Sequence, residues 1–124
     1  MRFICPLITV TDMAVSRRFY ETVLQMRVQH DFGENIQFED GLSLHEKGHF
    51  AGLIGAKPED ITSRARNMEL YFEEEDIEAF AASLEAYGVA LVHPLARQPW
   101  GQRVVRFYDP DGHIIEVGEP IPGL

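Results

Sequence analysis

The chain carries one structural plan twice. The run CPLITVTDMAVSRRFYETVLQMRV, from Cys5, predicts a strand, an N-cap at Asp12 and a helix over about 14–24, with Val15, Phe19, Val23 and Leu24 recurring at helical spacing. The run ELYFEEEDIEAFAASLEAYGVAL, from Glu69, repeats it. Its strand covers 69–72, its cap is Asp76, and its helix runs over about 77–87 on the stripe Ile77, Phe80, Leu84 and Tyr87, closed by Gly88. Three strand-like runs follow each helix: RVQHDF, NIQFE and LSLHE in the first half, ALVHP, RVVRFY and HIIEV in the second. In both halves an Asp-Gly turn precedes the last strand, in FEDGLSLHE and in FYDPDGHIIEV. Each half thus reads strand-helix-strand-strand-strand. The polar stretch GAKPEDITSRARN separates them. The expectation is one domain over 1–124, with a first module at 1–55, a linker at 56–67 and a second module at 68–124. One such module alone leaves its sheet half covered, so the two are expected to share a core.

Composition narrows the function classes. A net charge of −9 argues against nucleic acid or an anionic membrane as partner and is compatible with a cationic ligand. No apolar run approaches the ~20 residues that span a bilayer, and the N-terminus lacks the pattern of a signal peptide. Cys5 is the only cysteine, so no disulfide forms within the chain. The expected location is the cytoplasm.

Strand parity sorts side chains onto two faces. In the last strand, His113, Ile115 and Val117 share one face, while Ile114 and Glu116 share the other. The more apolar face packs under a helix, which sends Glu116 away from it. By the same rule Ser43 and His45, then Cys5, Leu7 and Thr9, then Glu69, Tyr71 and Glu73 all face away from the helices. Placing Asp40-Gly41 on Asp111-Gly112 matches His45 with Glu116. Placing Asp12 on Asp76 matches Cys5 with Glu69.

The segments PWGQRVVRFYDPDGHIIEVGE and VTDMAVSRRFYETVL, with the duplicated plan, resemble the vicinal oxygen chelate superfamily, which includes glyoxalase I, bleomycin-binding proteins and extradiol dioxygenases. The resemblance covers nearly the whole chain. It implies an α+β fold in which two βαβββ modules form a curved eight-stranded mixed sheet around a cavity, and it implies a homodimer. In the metal-dependent members, the first and last strands of each module supply the ligands. Carried onto this sequence, that implies a divalent metal (Zn, Ni, Mn or Fe) on Cys5, His45, Glu69 and Glu116. Glu116 or Glu69 would double as the proton-shuttling base of a lyase, isomerase or transferase acting on an oxygen-rich small molecule. The set departs from the family at Cys5, and a thiolate beside two carboxylates mixes soft and hard ligands. The two-His-one-carboxylate set of the dioxygenases is missing.

The same residues admit plainer readings. A lone cysteine on a first strand often serves as a small buried hydrophobe. His45 fits a hydrogen-bonded rim position, and Glu69 or Glu116 could pair with Arg103 or Arg106 across the sheet. Asp109 and Asp111 suit a turn stabilised by side-chain hydrogen bonds. Trp100, on the turn QPWGQ, is placed either to cover a ligand or to pack a rim. Tyr71 and Phe107 are candidate walls of a small-molecule cavity. The alternative function is therefore a metal-free, bleomycin-resistance-like protein that sequesters a cationic ligand.

Overall fold

Two capped amphipathic segments and eight short alternating runs generate the architecture. The computed structural model describes residues 1–123. In the first module, β1 (Leu7–Val10) leads to α1 (Met13–Thr22), then β2 (Val28–Asp31), β3 (Asn35–Phe38) and β4 (Ser43–Glu46). In the second, β5 (Glu69–Glu73) leads to α3 (Ile77–Ala86), then β6 (Leu91–Arg97), β7 (Arg103–Tyr108) and β8 (Ile114–Gly118). Each module forms a four-stranded mixed sheet, ordered β1-β4-β3-β2 and β5-β8-β7-β6. In each, the first and last strands lie parallel at the sheet's centre and edge, and the remaining pairs are antiparallel. The fold is α+β, built as two βαβββ modules. The chain divides into compact units Met1–Ala65 and Arg66–Leu124.

Local chemistry sets the helix starts. The Asp12 carboxylate accepts from the Val15 N–H at 3.1 Å, and the Asp76 carboxylate accepts from Ala79 N–H at 3.2 Å. Each satisfies an amide that has no partner within its own helix. The buried face of α1 differs from the expected stripe. Ser16, Tyr20 and Val23 are buried, whereas Val15 is 41% exposed. Small Ser16 lets the helix approach the sheet, and the Tyr20 ring packs on Phe38 with centroids 5.9 Å apart. Burying side chains of this size stabilises the fold by ~1.5–3 kcal/mol each.

A further helix, α2 (Lys47–Leu53), follows β4. Its composition, KGHFAGL, holds two glycines and no strong periodicity, so nothing in the sequence announces it. Glu46 makes it possible: its carboxylate accepts from Gly48 N–H at 2.9 Å and His49 N–H at 2.6 Å. Those two backbone bonds hold the Glu46 carboxyl below its ordinary range.

The two β-hairpins that precede the last strands match. Gly41 donates to the Phe38 carbonyl and Gly112 to the Asp109 carbonyl, and both glycines have positive φ, 101° and 89°. Equivalent positions in β4 and β8 follow, so His45 corresponds to Glu116. The parallel ladders correct the other alignment. Leu7 lies opposite Ser43 while Glu69 lies opposite Ile114, so Leu7, not Cys5, occupies the place equivalent to Glu69. The cause is the strand-to-helix connection. β5 pairs one residue further than β1 and then has Glu74 and Glu75 before its cap, where β1 has only Thr11.

Candidate functional site

In the second module, α3 covers one face of the sheet. Phe107 is fully buried against Phe80 of α3, ring centroids 5.9 Å apart, and Ile115 and Val117 are buried in the same layer. Phe107 is therefore a core residue and not the ligand-facing wall expected from the sequence. Its partner across the ladder is Ile115, and strand alternation sends both under the helix.

The opposite face carries the polar groups. Glu116 is level with Tyr71 of β5 on one side and Arg106 of β7 on the other. It is 7% exposed. The Arg106 guanidinium forms an ion pair with it through Nη2. Arg106 Nη1 also donates to Gln98 Oε1 at 3.1 Å and meets His93 Nε2 at 2.9 Å. His93 Nδ1 lies 2.8 Å from the Pro94 carbonyl. An arginine can only donate, so His93 accepts at Nε2 and carries its proton at Nδ1.

The Glu69 carboxyl also lies beside that of Glu116, within hydrogen-bond reach. Burial pushes the Glu116 carboxyl above its ordinary value. The bond from Glu69 adds to the rise, and the charge of Arg106 opposes it. A buried acid beside a fixed cation and a second carboxyl can accept a donor from a ligand.

A second network continues along this face. Gln102 is buried, and its amide is satisfied on every side. Its Nε2 donates to the Tyr71 hydroxyl at 2.9 Å and to the Glu119 carbonyl at 2.7 Å, and its Oε1 accepts from Trp100 Nε1 at 2.8 Å. The Tyr71 hydroxyl donates in turn to Glu73 Oε2 at 3.0 Å. Burial raises the Tyr71 phenol above its usual value. The Gln102 side chain crosses over Gly118 of β8. A Cβ at Gly118 would lie 2.4 Å from Gln102 Nε2, so only glycine leaves that path open.

The first-module candidates have other partners. Cys5 lies before β1, and its thiol meets the Ser43 hydroxyl at 3.4 Å. His45 is level with Thr9 and meets His49 Nδ1 through Nε2 at 2.9 Å. Burial, then repulsion from His49, lowers the His45 imidazole from its ordinary value. Within either module, the described residues contain no group of three or more His, Cys, Asp and Glu side chains able to hold a metal.

The donor chemistry of the second module does not suit a divalent ion. A metal needs both carboxylates ionised and free to coordinate. Here a guanidinium, itself a permanent cation, already occupies the charge complement of Glu116.

The sequence pointed to Glu69, Tyr71 and Glu116 on this face and named Arg106 as a partner for a glutamate. Gln98, Gln102 and His93 were missed. Arg106 could be found from the Pro-Asp-Gly turn, which fixes the β7–β8 register. Nothing marks Gln102, whose role depends on the space left by Gly118.

Comparisons with known proteins agree with the geometry. Residues 3–122 match the family described as "Glyoxalase-like domain". The chain is similar to a solved protein of unknown function from Agrobacterium tumefaciens str. C58, with 43% identity over 98% of this chain and 95% of that one, at a TM-score of 0.86. It shares its fold with a glyoxalase-related enzyme from Fulvimarina pelagi, at 24% identity over 99% and 94% of the two chains and a TM-score of 0.78. It also shares its fold with a lactoylglutathione lyase from Agrobacterium tumefaciens, at 21% identity over 99% and 97% and a TM-score of 0.71. Comparison with curated proteins gives no significant match. No helix among the described residues is long and apolar enough to cross a membrane. With the repeated module, the matched hairpins and a family match across almost its full length, the chain belongs to the glyoxalase-like family of the vicinal oxygen chelate superfamily.

Proposed function

We propose that this chain binds a small molecule on the face of the second sheet turned away from α3, without a metal ion, using Glu69 and Glu116 to receive a cationic group. The observation that carries this reading is the chain of contacts Arg106–Glu116–Glu69. Arg106 holds Glu116 in place, and exposed Glu69 offers the negative charge that a protonated amine would meet. A net charge of −9 favours the approach of such a ligand. The activity class is sequestration of a cationic drug or metabolite in the bleomycin-resistance manner. The protein is proposed to act as a cytoplasmic homodimer. Phe3, Ile4 and Leu7 form an exposed apolar run, 82%, 61% and 49% accessible, of the kind a second copy covers.

One observation favours a second reading. Glu69 and Glu116 are adjacent carboxyls on neighbouring strands, and the raised Glu116 carboxyl is suited to proton transfer. That supports a divalent-metal lyase, isomerase or transferase. Elemental analysis of protein purified without chelator or a nickel column separates the two. The first reading expects no stoichiometric Zn, Ni, Mn or Fe, together with calorimetric binding of metal-free bleomycin that Glu69→Gln weakens. A stoichiometric metal that the double substitution Glu69→Gln and Glu116→Gln removes would establish the second.

A further inference from the structure

Beyond β8, the chain's last described residues turn back over the β6–β7 connection and leave a cleft of about 360 Å³. This volume lies in the range of small-ligand sites, ~300–1,000 Å³. Its walls are of two kinds. Pro120, Ile121 and Pro122 supply an apolar side, and Arg97 and Trp100 supply the other.

Trp100 is 57% exposed, yet it is held firmly. Its indole N–H is anchored on Gln102, which is itself tied to Tyr71 and to the Glu119 carbonyl. An exposed tryptophan normally samples several rotamers. This one is fixed in advance as a flat platform, so a ligand stacking on it loses little to side-chain ordering. Gly101 permits the turn that presents it, with φ at 99°.

The two charges that line the cleft are engaged differently. Glu119 also lines it, but its carboxylate is consumed by Arg103, which donates from its backbone N–H at 2.6 Å, from Nε at 3.2 Å and from Nη2 at 3.3 Å. Arg97 donates through Nη1 to the Gly101 carbonyl at 2.5 Å, and that bond orients the guanidinium. Among the described residues no carboxylate lies within ion-pair distance of Arg97. The cleft thus offers a fixed aromatic plane, an apolar wall and one oriented cation, Arg97, whose charge acts on Glu119 only from beyond ion-pair distance.

We propose that this cleft is a binding subsite for a planar aromatic carboxylate, with the ring on Trp100 and the carboxylate on Arg97. It is a separate site from the Glu69–Glu116 pair, takes the opposite charge, and stands or falls independently of the reading given above. Because Trp100 is the only tryptophan, its indole N–H signal and its fluorescence report on the cleft alone.

The test is a titration with 2-naphthoate followed through the Trp100 Nε1–H resonance in a ¹⁵N-labelled sample. Saturable movement of that resonance is expected. Cyclohexanecarboxylate, which keeps the charge and loses the plane, should move it at least tenfold less effectively, and so should 2-naphthamide, which keeps the plane and loses the charge. Arg97→Gln should weaken 2-naphthoate about tenfold, the usual scale for losing one charge-assisted bond. Arg64→Gln removes the same charge from an exposed position in the linker and should leave binding as it is. Trp100→Ala removes the aromatic plane and should weaken 2-naphthoate severalfold, read by the backbone N–H of Gly101. No saturable shift at millimolar 2-naphthoate would overturn the proposal. Equal losses in Arg97→Gln and Arg64→Gln would overturn it as well, since that result marks diffuse charge attraction instead of a site.

Discussion

Arg106 and Glu116 face each other across the β7–β8 ladder, and their side chains close into an ion pair on the face of the sheet turned away from α3. Both are largely withdrawn from solvent, at 21% and 9% side-chain exposure. A pair so placed is expensive to break from one side, because the remaining charge stays where water cannot reach it. The arrangement accounts for the carboxylate that interrupts an otherwise apolar strand: Glu116 is the counter-charge to a fixed guanidinium and the partner of a second carboxyl.

Glu69→Gln should lower the pKa of Glu116. It removes the shared hydrogen bond and the negative charge, two of the influences that raise the Glu116 carboxyl, and leaves the opposing charge of Arg106. Carboxyl ¹³C titration of the labelled protein reads this directly. An unchanged Glu116 titration would mean that Glu69 does not act on Glu116.

The pH dependence of stability follows from the same group. Where the folded pKa of a carboxyl is raised, the folded state binds more protons than the unfolded state between the two values. Stability therefore falls as pH rises from about 4.5, the ordinary value, through the raised one. Glu46 is lowered and works the other way, losing its contribution as pH drops below about 4.5. Urea denaturation at a series of pH values should show the wild-type protein losing ground to Glu116→Gln on going up from pH 4.5. A flat difference between the two proteins would contradict the raised value.

Gly118→Ala should displace Gln102. The new methyl would lie 2.4 Å from its Nε2, 2.9 Å from its Cδ and 3.2 Å from Val104 Cγ2. The cost of such overpacking is ~1–3 kcal/mol. The anchor of Trp100 would go with it, so fluorescence anisotropy of the single tryptophan should fall along with the melting temperature. A stable protein with unchanged anisotropy would show that Gln102 does not hold the indole.

Asp109→Ala should destabilise by ~1–3 kcal/mol without touching the ligand face. The buried carboxylate accepts from the N–H groups of Asp111 and His113 and from His113 Nδ1 at 2.7 Å, so its loss strands three donors in the β7–β8 turn. Chemical denaturation measures the loss.

Much of the fold was legible because it rests on local signals. Asp12 and Asp76 cap helices that begin within a residue of where the sequence puts them, and the two Asp-Gly turns set the hairpins. Alternation placed Glu69, Tyr71 and Glu116 on the correct face. What was not legible depends on relationships that spacing cannot carry. The cap alignment set Cys5 against Glu69 because nothing in the sequence reveals the longer connection after β5. The helix α2 hides in a glycine-rich run until Glu46 is seen to cap it. Phe107 reads as a cavity wall until its partner across the ladder, Ile115, shows which face it takes. Gln102 has no pattern at all, since its three contacts come from β5, from the chain beyond β8 and from its own turn.

The central claim is that Arg106 stands where a metal-dependent relative would need a free carboxylate. The most direct measurement is a thermal melt of wild-type protein and of Arg106→Ala with and without Zn, Ni, Mn or Fe(II), in each case after chelator treatment and its removal. Wild type should show no metal-linked rise in melting temperature. Arg106→Ala uncovers Glu116 but leaves no group of three ligands among the described residues, so it should gain none either. A rise of several degrees in the wild-type protein, lost in the double substitution Glu69→Gln and Glu116→Gln, would contradict the account and make the site a metal centre.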